Sequence, residues 1–398
     1  MSDLSRSELP TSIGLAFYLG APSAFIVEKF FMIPGLVYLA VLPFVVCWLL
    51  RNAAVLAKYV EKNESLLLSI TLMASVLLVV FVHPIADGGG WGRGSDSDDA
   101  LELATSRLLE GQHPYLETTY LGNPVSQLPG SVILAVPFVT LFGGVAMQNV
   151  FWLAVLMFAL RRCSSRAGSL VMLLGVSLLS PCLVYRIAVG DDYLTNGILV
   201  LLAVIWLTKC AHQERATMKE LLLPAVSVGF AISTRTLFPL LLPLLVIYLV
   251  RVRGYWTGLL LTTVIGFVFV VVTAPFYFWD PAGFSPFHTA RKLNRFDSLI
   301  PHAGVSIPAL AVLTGAFLCW LREATIPNLL SNSALTLAIP AVAGAVLDSV
   351  KRGTLAFDYL AFTTFSLFFA VVALWPGLMP VSRDALQAKL RESTQAVS

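Results

Sequence analysis

The chain has 398 residues, of which 57% are hydrophobic and only 12% are charged, and its net charge is +3. A soluble domain carries about twice that charged fraction, near 25%. Water is therefore not the main solvent of this chain, a water-soluble enzyme is excluded, and no nucleic-acid partner is expected. The net charge itself says little, because in a membrane protein the placement of Lys and Arg matters more than their sum.

Apolar runs of near-spanning length recur along the chain and predict about ten to thirteen transmembrane helices. These runs lack the alternation of barrel strands, and a backbone in hydrocarbon must satisfy its own hydrogen bonds, so the predicted fold class is an all-α polytopic membrane protein. We divide it into N-terminal helices (1–65), a core with its outer loops 85–130 and 277–302 (66–300), and C-terminal helices with a short cytoplasmic tail (301–398).

Basic residues cluster at one predicted side of the membrane. The positive-inside rule places in the cytoplasm the groups Arg51–Lys58–Lys62, Arg161–Arg162–Arg166, Lys209–Arg215–Lys219, Arg251–Arg253 and Arg383–Lys389–Arg391. This arrangement requires 126–160 to cross only once, with a re-entrant or interfacial piece. The opposite side then receives the loop 85–130, the turn Gly190–Asp191–Asp192, the turn Ser233–Thr234–Arg235 and the loop 277–302. We expect a multi-pass protein of the inner (plasma) membrane with a site that faces outside.

The first outer loop, 85–130, is too long for a simple connector and predicts an amphipathic surface helix. Asp98 or Ser97 is suited to cap its start, and Gly111 to follow its end. Its apolar face is expected to lie flat on the membrane and to comprise Leu101, Ala104, Leu108 and Leu109. The helix would hold Asp96, Asp98 and Asp99 at the membrane–water boundary.

These three carboxylates, Asp96, Asp98 and Asp99, have three possible explanations. Helix capping accounts for one of them, because Asp is a preferred capping residue and negative charge is favoured at the positive helix end. A carboxylate at this place also suits a general base that takes the proton of an attacking hydroxyl. The D-x-D spacing of Asp96 and Asp98 would additionally suit a divalent cation, Mg²⁺ or Mn²⁺, on a phosphate oxygen.

Four stretches within about 66–300 carry recognisable motifs, namely DDALELATSRLLEGQHPYLETTYLGNPVSQLPGSVILAVPFVTLFG, RIAVGDDYLTNGILVLLAVIWL, STRTLFPLLLPLLVIYLV and APFYFWDPAGFSPFH. In these motifs and in their order, the chain resembles the bacterial C-type (GT-C) glycosyltransferases that use polyprenyl-phosphate sugars. The resemblance implies a GT-C-like bundle and a first-loop Asp as catalytic base, a role that would fall to Asp98, Asp99 or Asp96, with the spacing to Gly111 favouring Asp98 or Asp99. The chain departs from the pattern in its polyacidic stretch and in two apolar segments that precede the usual first helix.

Outward basic residues run against the charge rule and need a reason. Lys292 and Arg295 are explained by snorkelling to lipid headgroups. Arg235 lies between two apolar helices, where an Arg is costly without an anionic partner. A lipid-phosphate donor supplies one, since guanidinium groups match phosphate oxygens. We expect donor-phosphate contacts from Arg235 and from Arg291 or Arg295, with Lys292 a further candidate.

Other polar residues of the outer loops are candidates for acceptor or sugar binding. Asp191 and Asp192 would contact acceptor hydroxyls or pair with Arg186 and Arg235. Tyr115 and Tyr120 suit sugar stacking, although interfacial aromatic belts have the same composition. His288 is expected to join a phosphate site or to hydrogen-bond locally.

The resemblance implies a glycosyltransferase that moves a sugar, with mannose most expected, from a polyprenyl-phosphate donor to a hydroxyl of a glycan or glycolipid acceptor. A transporter or lipid flippase is the alternative from another class, although such proteins usually place charges near the bilayer midplane and often contain repeated halves. A related polyprenyl-phosphate transferase and a non-catalytic assembly subunit are further alternatives.

Overall fold

The structure is a computed structural model that describes residues 8–87, 95–163, 165–287 and 292–375, and residue 378. The described residues are mostly helical, and they contain no strand beyond an isolated antiparallel bridge between Thr118 and Pro124. The prediction of an all-α chain is therefore confirmed.

The first half of the chain contains the long first loop and the helices that precede and follow it. In chain order they are α1 (Glu8–Phe31), α2 (Gly35–Glu61), α3 (Glu64–Leu77), α4 (His83–Asp87), α5 (Ser97–Leu109), α6 (Pro129–Phe142), α7 (Met147–Cys163), α8 (Arg166–Leu179) and α9 (Pro181–Val189). A π-helical turn, Leu78–Val82, joins α3 to α4. Such turns occur as single π-bulges inside α-helices, frequently at functional sites.

The second half continues with long apolar helices. They are α10 (Tyr193–His212), α11 (Met218–Ile232), α12 (Leu242–Arg253), α13 (Tyr255–Trp279), α14 (Ala303–Leu321), α15 (Ile326–Arg352) and α16 (Thr364–Leu374). The span of α10 is 72% buried and therefore central, whereas the span that combines α3, the π turn and α4 is 11% buried and therefore peripheral.

By length and apolar composition, seven of the described helices can each cross a membrane, or up to nine if each of two bent pairs counts as one crossing. The bent pairs are α6 with α7, at 112°, and α8 with α9, at 82°. These helices identify a multi-pass membrane protein. The higher count of about ten to thirteen stays a prediction, to which the short helices α11, α12 and α16 would contribute.

Two contacts bring predicted cytoplasmic residues together at one end of the bundle, which we call the basic end. Arg161 forms an ion pair with Glu64, and Arg253 donates a hydrogen bond to the Cys210 carbonyl at 3.1 Å. Asp192 lies at the other end of α10, roughly 30 Å away for a helix of 20 residues. We call that other end the site end.

Helix α6 begins and ends at the site end and does not cross the bundle. At its start, the Gly130 N–H donates to the Ser233 carbonyl at 2.9 Å, and just past its end the Val145 N–H donates to Glu102 Oε1 of α5 at 2.8 Å. Only α7 then runs to the basic end. The prediction that 126–160 crosses once, after a re-entrant or interfacial piece, agrees with this geometry.

The amphipathic helix of the first loop is α5, and two details of its prediction were wrong. Asp96 occupies the N-cap position, so Ser97 and Asp98 belong to the first helical turn. Leu109 is 49% exposed instead of lying on the apolar face, because Glu110 and Gly111 already turn the chain away. The buried side of α5 packs on α6 and on Phe284 and so contacts protein.

Candidate functional site

The guanidinium of Arg235 lies at the centre of the site end. It forms a two-point ion pair with Asp192, in which Nε donates to Oδ2 at 3.0 Å and Nη2 to Oδ1. Nη1 donates to Ser126 Oγ at 2.8 Å, and Nη2 also donates to Ser97 Oγ at 3.3 Å. A single side chain therefore links the start of α5, the end of the first loop and the turn before α10.

The loop 277–302, the last of the four predicted outer segments, also contacts the residues around Arg235. Ser285 donates from its hydroxyl to the Val125 carbonyl at 2.6 Å, and the Leu128 N–H donates to the Thr234 carbonyl at 3.0 Å. The loops 85–130 and 277–302 and the turns at residues 190–192 and 233–235 therefore meet as the sequence predicted.

Asp192 is fully buried and saturated with donors. Besides Arg235, its carboxylate accepts from Ser131 Oγ at 3.0 Å and from Asn196 Nδ2 at 2.6 Å. A buried charge of this kind is tolerated because it is paired, and removing one partner leaves the other charge uncompensated.

Asp191 forms a separate ion pair with Arg186, and both side chains are buried. The Arg186 guanidinium lies 4.3 Å from the centre of the Tyr193 ring, and the Arg235 guanidinium lies 5.2 Å from the same ring. Of the two alternatives for Asp191 and Asp192, the structure therefore contains the ion pairs with Arg186 and Arg235.

A compact group of carboxylates lies at the start of α5. Oxygen atoms of Asp87, Asp98 and Asp99 all lie within 4.8 Å of one another. Asp98 is only 2% exposed, and among the described residues its Oδ1 has no hydrogen-bond partner. We call Asp87, Asp98 and Asp99 the acidic cluster.

Asp96 stands apart from this cluster although its sequence position is adjacent. Its Oδ2 accepts from Thr119 Oγ1 at 2.6 Å and from Asn123 Nδ2 at 2.8 Å. Asp96 therefore fastens the turn at 119–123 to the start of α5. If a divalent cation binds here, the spacing favours Asp87, Asp98 and Asp99 over the D-x-D pair of Asp96 and Asp98.

Asp98 and Asp99, both in the first turn of α5, differ in protonation. Burial, reinforced by the negative charges of Asp99 and Asp87, raises the pKa of Asp98 to about 9, so this group holds its proton at neutral pH. Burial and the charges of Asp87 and Glu102 raise the pKa of Asp99 to about 6. Asp99 is half-buried and is thus the ionised and more accessible of the two.

His83 was not singled out in the sequence, yet it lies against the acidic cluster. Its Nε2 is 3.9 Å from Asp98 Oδ2, and its Nδ1 is 3.2 Å from the Ala188 carbonyl. Gly190 makes room for the ring, since an added Cβ would stand 2.8 Å from His83 Cε1. One sequence signal was present: His83 and Asp87 are four residues apart at the end of an apolar run, where ionisable residues are unusual.

The predicted donor-phosphate residues fall in different places. Lys292 is exposed. Desolvation and the positive charge of Arg235 lower its pKa, and the negative charge of Asp96 opposes that change. Arg295 instead pairs with Asp348. Arg291 and His288 lie outside the described residues.

The two candidate sugar-stacking tyrosines also differ. Tyr115 is buried against Phe284, with ring centres 5.0 Å apart, and its hydroxyl has no partner among the described residues. Tyr120 is 61% exposed, and desolvation, followed by the negative charges of Asp99 and Asp96, raises the pKa of its hydroxyl. Of these two tyrosines, only Tyr120 is exposed enough for its ring to be reached by a sugar.

Comparison with protein-family models, with curated proteins and with solved structures finds no match. The chemistry of the site therefore has to be argued from its own residues. They provide an ionised, half-buried carboxylate, a protonated buried carboxyl, an exposed lysine and a buried arginine that fixes the helix carrying both carboxyls.

Proposed function

We propose that this chain is an inverting glycosyltransferase that moves a sugar from a polyprenyl-phosphate donor to a hydroxyl of a glycan or glycolipid. The observation that carries the proposal is the contact between Arg235 and Ser97, which joins the basic and acidic parts of the site end at the start of one helix. The resemblance of residues 66–300 to the C-type glycosyltransferases supports the reaction class, with mannose as the expected sugar.

Asp99 is the proposed general base. Asp98 retains its proton at neutral pH, whereas Asp99 is ionised and half-buried, so Asp99 can accept a proton from an acceptor hydroxyl. The hydroxyl oxygen then forms a bond to the anomeric carbon of the sugar. The bond from that carbon to the donor phosphate breaks, and its electrons leave with the lipid phosphate.

The leaving phosphate requires positive charge. Most hydrogen-bond donors of Arg235 already contact Asp192, Ser126 and Ser97, so we assign Arg235 mainly to positioning. Lys292 is exposed and is influenced electrostatically by Asp96 and Arg235, and we assign it the main contact with the donor phosphate.

The site would face away from the cytoplasm. The positive-inside rule puts the basic end, with Arg161 and Arg253, in the cytoplasm and so turns the site end outward. A polyprenyl phosphate then serves as the carrier of an activated sugar on a side that nucleotide sugars do not reach.

Sealed proteoliposomes test the reaction class against transport. They would hold the protein, a polyprenyl-phosphate mannose labelled in its sugar, and a glycolipid extract as acceptor. We expect a covalent labelled product that Asp99→Asn abolishes and that Asp358→Asn, the same substitution at an exposed carboxyl paired with Arg352, leaves intact. Movement of label across the bilayer without a covalent product would instead identify a transporter or flippase.

A further inference from the structure

A 3₁₀ helix, Asp358–Thr363, directly precedes α16 and lies between the loop 277–302 and the buried ion pairs of the site end. It is six residues long, whereas such helices seldom exceed about three or four residues, because their hydrogen-bond geometry is poor. Leu360 and Thr363 are buried. The conformation of this segment therefore depends on its contacts with the rest of the protein.

The 3₁₀ geometry aligns two aromatic rings. Residues three apart in a 3₁₀ helix lie directly above one another, so Tyr359 and Phe362 are in line, with ring centres 6.2 Å apart. In an α-helix the same two side chains would diverge by about 60°. The Phe362 ring in turn stacks on the ring of Tyr193, at 5.7 Å between centres and 26° between planes. We call Tyr359, Phe362 and Tyr193 the ring row.

The outer end of the ring row is fastened to the loop 277–302 by Arg295. The guanidinium of Arg295 lies 4.9 Å from the centre of the Tyr359 ring, a distance at which a cation is attracted to an aromatic face. Asp348 is buried and forms an ion pair with the partly exposed Arg295, so it holds the guanidinium in this place. Gly344 lets the ring approach, since an added Cβ would stand 2.6 Å from Tyr359 Cδ1.

The inner end of the ring row contacts both buried arginines. The Tyr193 ring lies 4.3 Å from the Arg186 guanidinium and 5.2 Å from that of Arg235. The Ala361 carbonyl of the 3₁₀ helix also accepts a hydrogen bond from Arg186 Nη2 at 3.2 Å. Because Arg235 donates to Ser97, the inner end of the row is one side chain away from the start of α5.

We propose that the 3₁₀ helix and the ring row form a rigid link through which the ion pair of Arg295 with Asp348 fixes Arg235, and with it the start of α5. Packed rings transmit a displacement because protein interiors are poorly compressible. Among the described residues, Arg295 and Ser97 share no hydrogen-bond or ion-pair partner, so without a link their substitutions should act independently. The link makes the loop 277–302 a regulator of the acidic cluster; that role in catalysis, but not the link itself, rests on the proposed function.

Hydrogen–deuterium exchange of the purified full-length protein in lipid nanodiscs tests the link, with the backbone amides of residues 97–105 as the readout. Asp348→Asn releases Arg295 without leaving a buried charge, because Arg295 and Arg352 are both partly exposed. We expect exchange at 97–105 to become at least about threefold faster, with unchanged exchange in the middle of α10. Asp358→Asn is the matched control. Its carboxylate pairs with Arg352 outside the ring row, so exchange at 97–105 should stay as in the wild type.

A second set of variants interrupts the ring row itself. Phe362→Leu should accelerate exchange at 97–105 on its own, and Asp348→Asn added to it should cause no further change, because the loop is then disconnected from Arg235. Tyr359→Leu should resemble Asp348→Asn, whereas Tyr359→Phe keeps the ring and should resemble the wild type. The Tyr359 pair provides the test if Phe362→Leu does not fold.

Two results would overturn this inference. One is unchanged exchange at 97–105 in Asp348→Asn. The other is an equal acceleration by Asp348→Asn with and without Phe362→Leu, which would assign the effect to the direct contact between Ser285 and the Val125 carbonyl.

The outcome is separable from the proposed reaction, because exchange is measured without substrate. The expected exchange pattern in a protein that transfers no sugar keeps the link and rejects the glycosyltransferase. Sugar transfer by a protein in which Asp348→Asn leaves 97–105 unchanged rejects the link and keeps the enzyme.

Discussion

Arg235 donates a hydrogen bond to the Ser97 hydroxyl at 3.3 Å across a separation of 138 residues. The residues that follow Ser97 are Asp98 and Asp99, so a buried cation from the turn before α12 holds the helix that presents both carboxyls. Substitutions in this buried framework should therefore change the acidic cluster as well as the stability of the fold.

The ion pair between Arg235 and Asp192 is expected to be costly to break from either side. Its side chains are 8% and 0% exposed, and removal of one partner leaves a buried charge. Arg235→Met and Asp192→Leu should each lower the free energy of unfolding by about 3–5 kcal/mol. Thermal unfolding in detergent measures this loss.

The double variant Arg235→Met with Asp192→Leu provides the control. Replacing both charges with apolar groups of similar volume is often nearly neutral, so this variant should recover most of the lost stability. Additive losses from the two single changes would show that the pair does not interact as described.

Gly190 and Gly143 form a matched pair for testing the position of His83. Both have left-handed backbones, with φ of 74° and 76°. A Cβ at Gly190 would meet His83 at 2.8 Å, whereas a Cβ at Gly143 meets nothing within 4 Å. Gly143→Ala should cost about 1–2 kcal/mol of strain.

Gly190→Ala should cost more than Gly143→Ala and should also shift the His83 ring resonances in NMR spectra of histidine-labelled protein. Equal losses of stability in the two variants, with unchanged His83 resonances, would contradict the close packing of this ring on Gly190.

The buried carboxyl of Asp98 predicts a pH dependence of stability. Its pKa in the folded protein is about 9, above the ordinary value near 4, so the folded state binds the extra proton between these values. The stabilisation from this group is present below pH about 4 and is lost as the pH rises toward 9.

Asp98→Asn removes that loss. As the pH is raised from 5 to 8, the unfolding temperature of Asp98→Asn should therefore increase relative to that of the wild type. Asp358→Asn, whose side chain is 47% exposed, is the comparison and should follow the wild type. A constant difference between Asp98→Asn and the wild type over this range would show that Asp98 is ionised throughout.

Transfer activity should rise through pH about 6 as Asp99 ionises. The charge of Asp87 raises the pKa of Asp99 and that of His83 lowers it, so Asp87→Asn should move the rise to lower pH and His83→Gln to higher pH. The measurement is the rate of label transfer at saturating donor from pH 4.5 to 8. Shifts of both variants in one direction would show that these residues act through structure alone.

Much of this arrangement could be predicted because membrane physics leaves few choices. The apolar runs required helices, and the basic groups at Arg161 and Arg253 fixed which helix ends share a side, so the meeting of Arg235 with the first loop followed. The single crossing over 126–160 followed from the same charges.

Other parts depended on contacts that one sequence does not contain. Asp96, Asp98 and Asp99 look alike in the chain, and only the position of Thr119 and Asn123 separates Asp96 from the other two. The sequence predicts Arg295 as a phosphate ligand, whereas in the structure it pairs with Asp348, which lies 53 residues later in the chain. His83 directly follows the π-helical turn Leu78–Val82. This turn changes the direction of the residues after it, and a pattern based on 3.6 residues per turn does not predict that change.

Label transfer from polyprenyl-phosphate mannose to a glycolipid acceptor by the purified protein tests the central claim most directly, with Asp99→Asn, Asp98→Asn and Asp358→Asn measured side by side at pH 7.5. The account predicts that Asp99→Asn lowers the rate by about 10²–10⁴-fold, that Asp98→Asn retains a larger share of activity, and that Asp358→Asn matches the wild type. Wild-type transfer that persists undiminished in Asp99→Asn would contradict it.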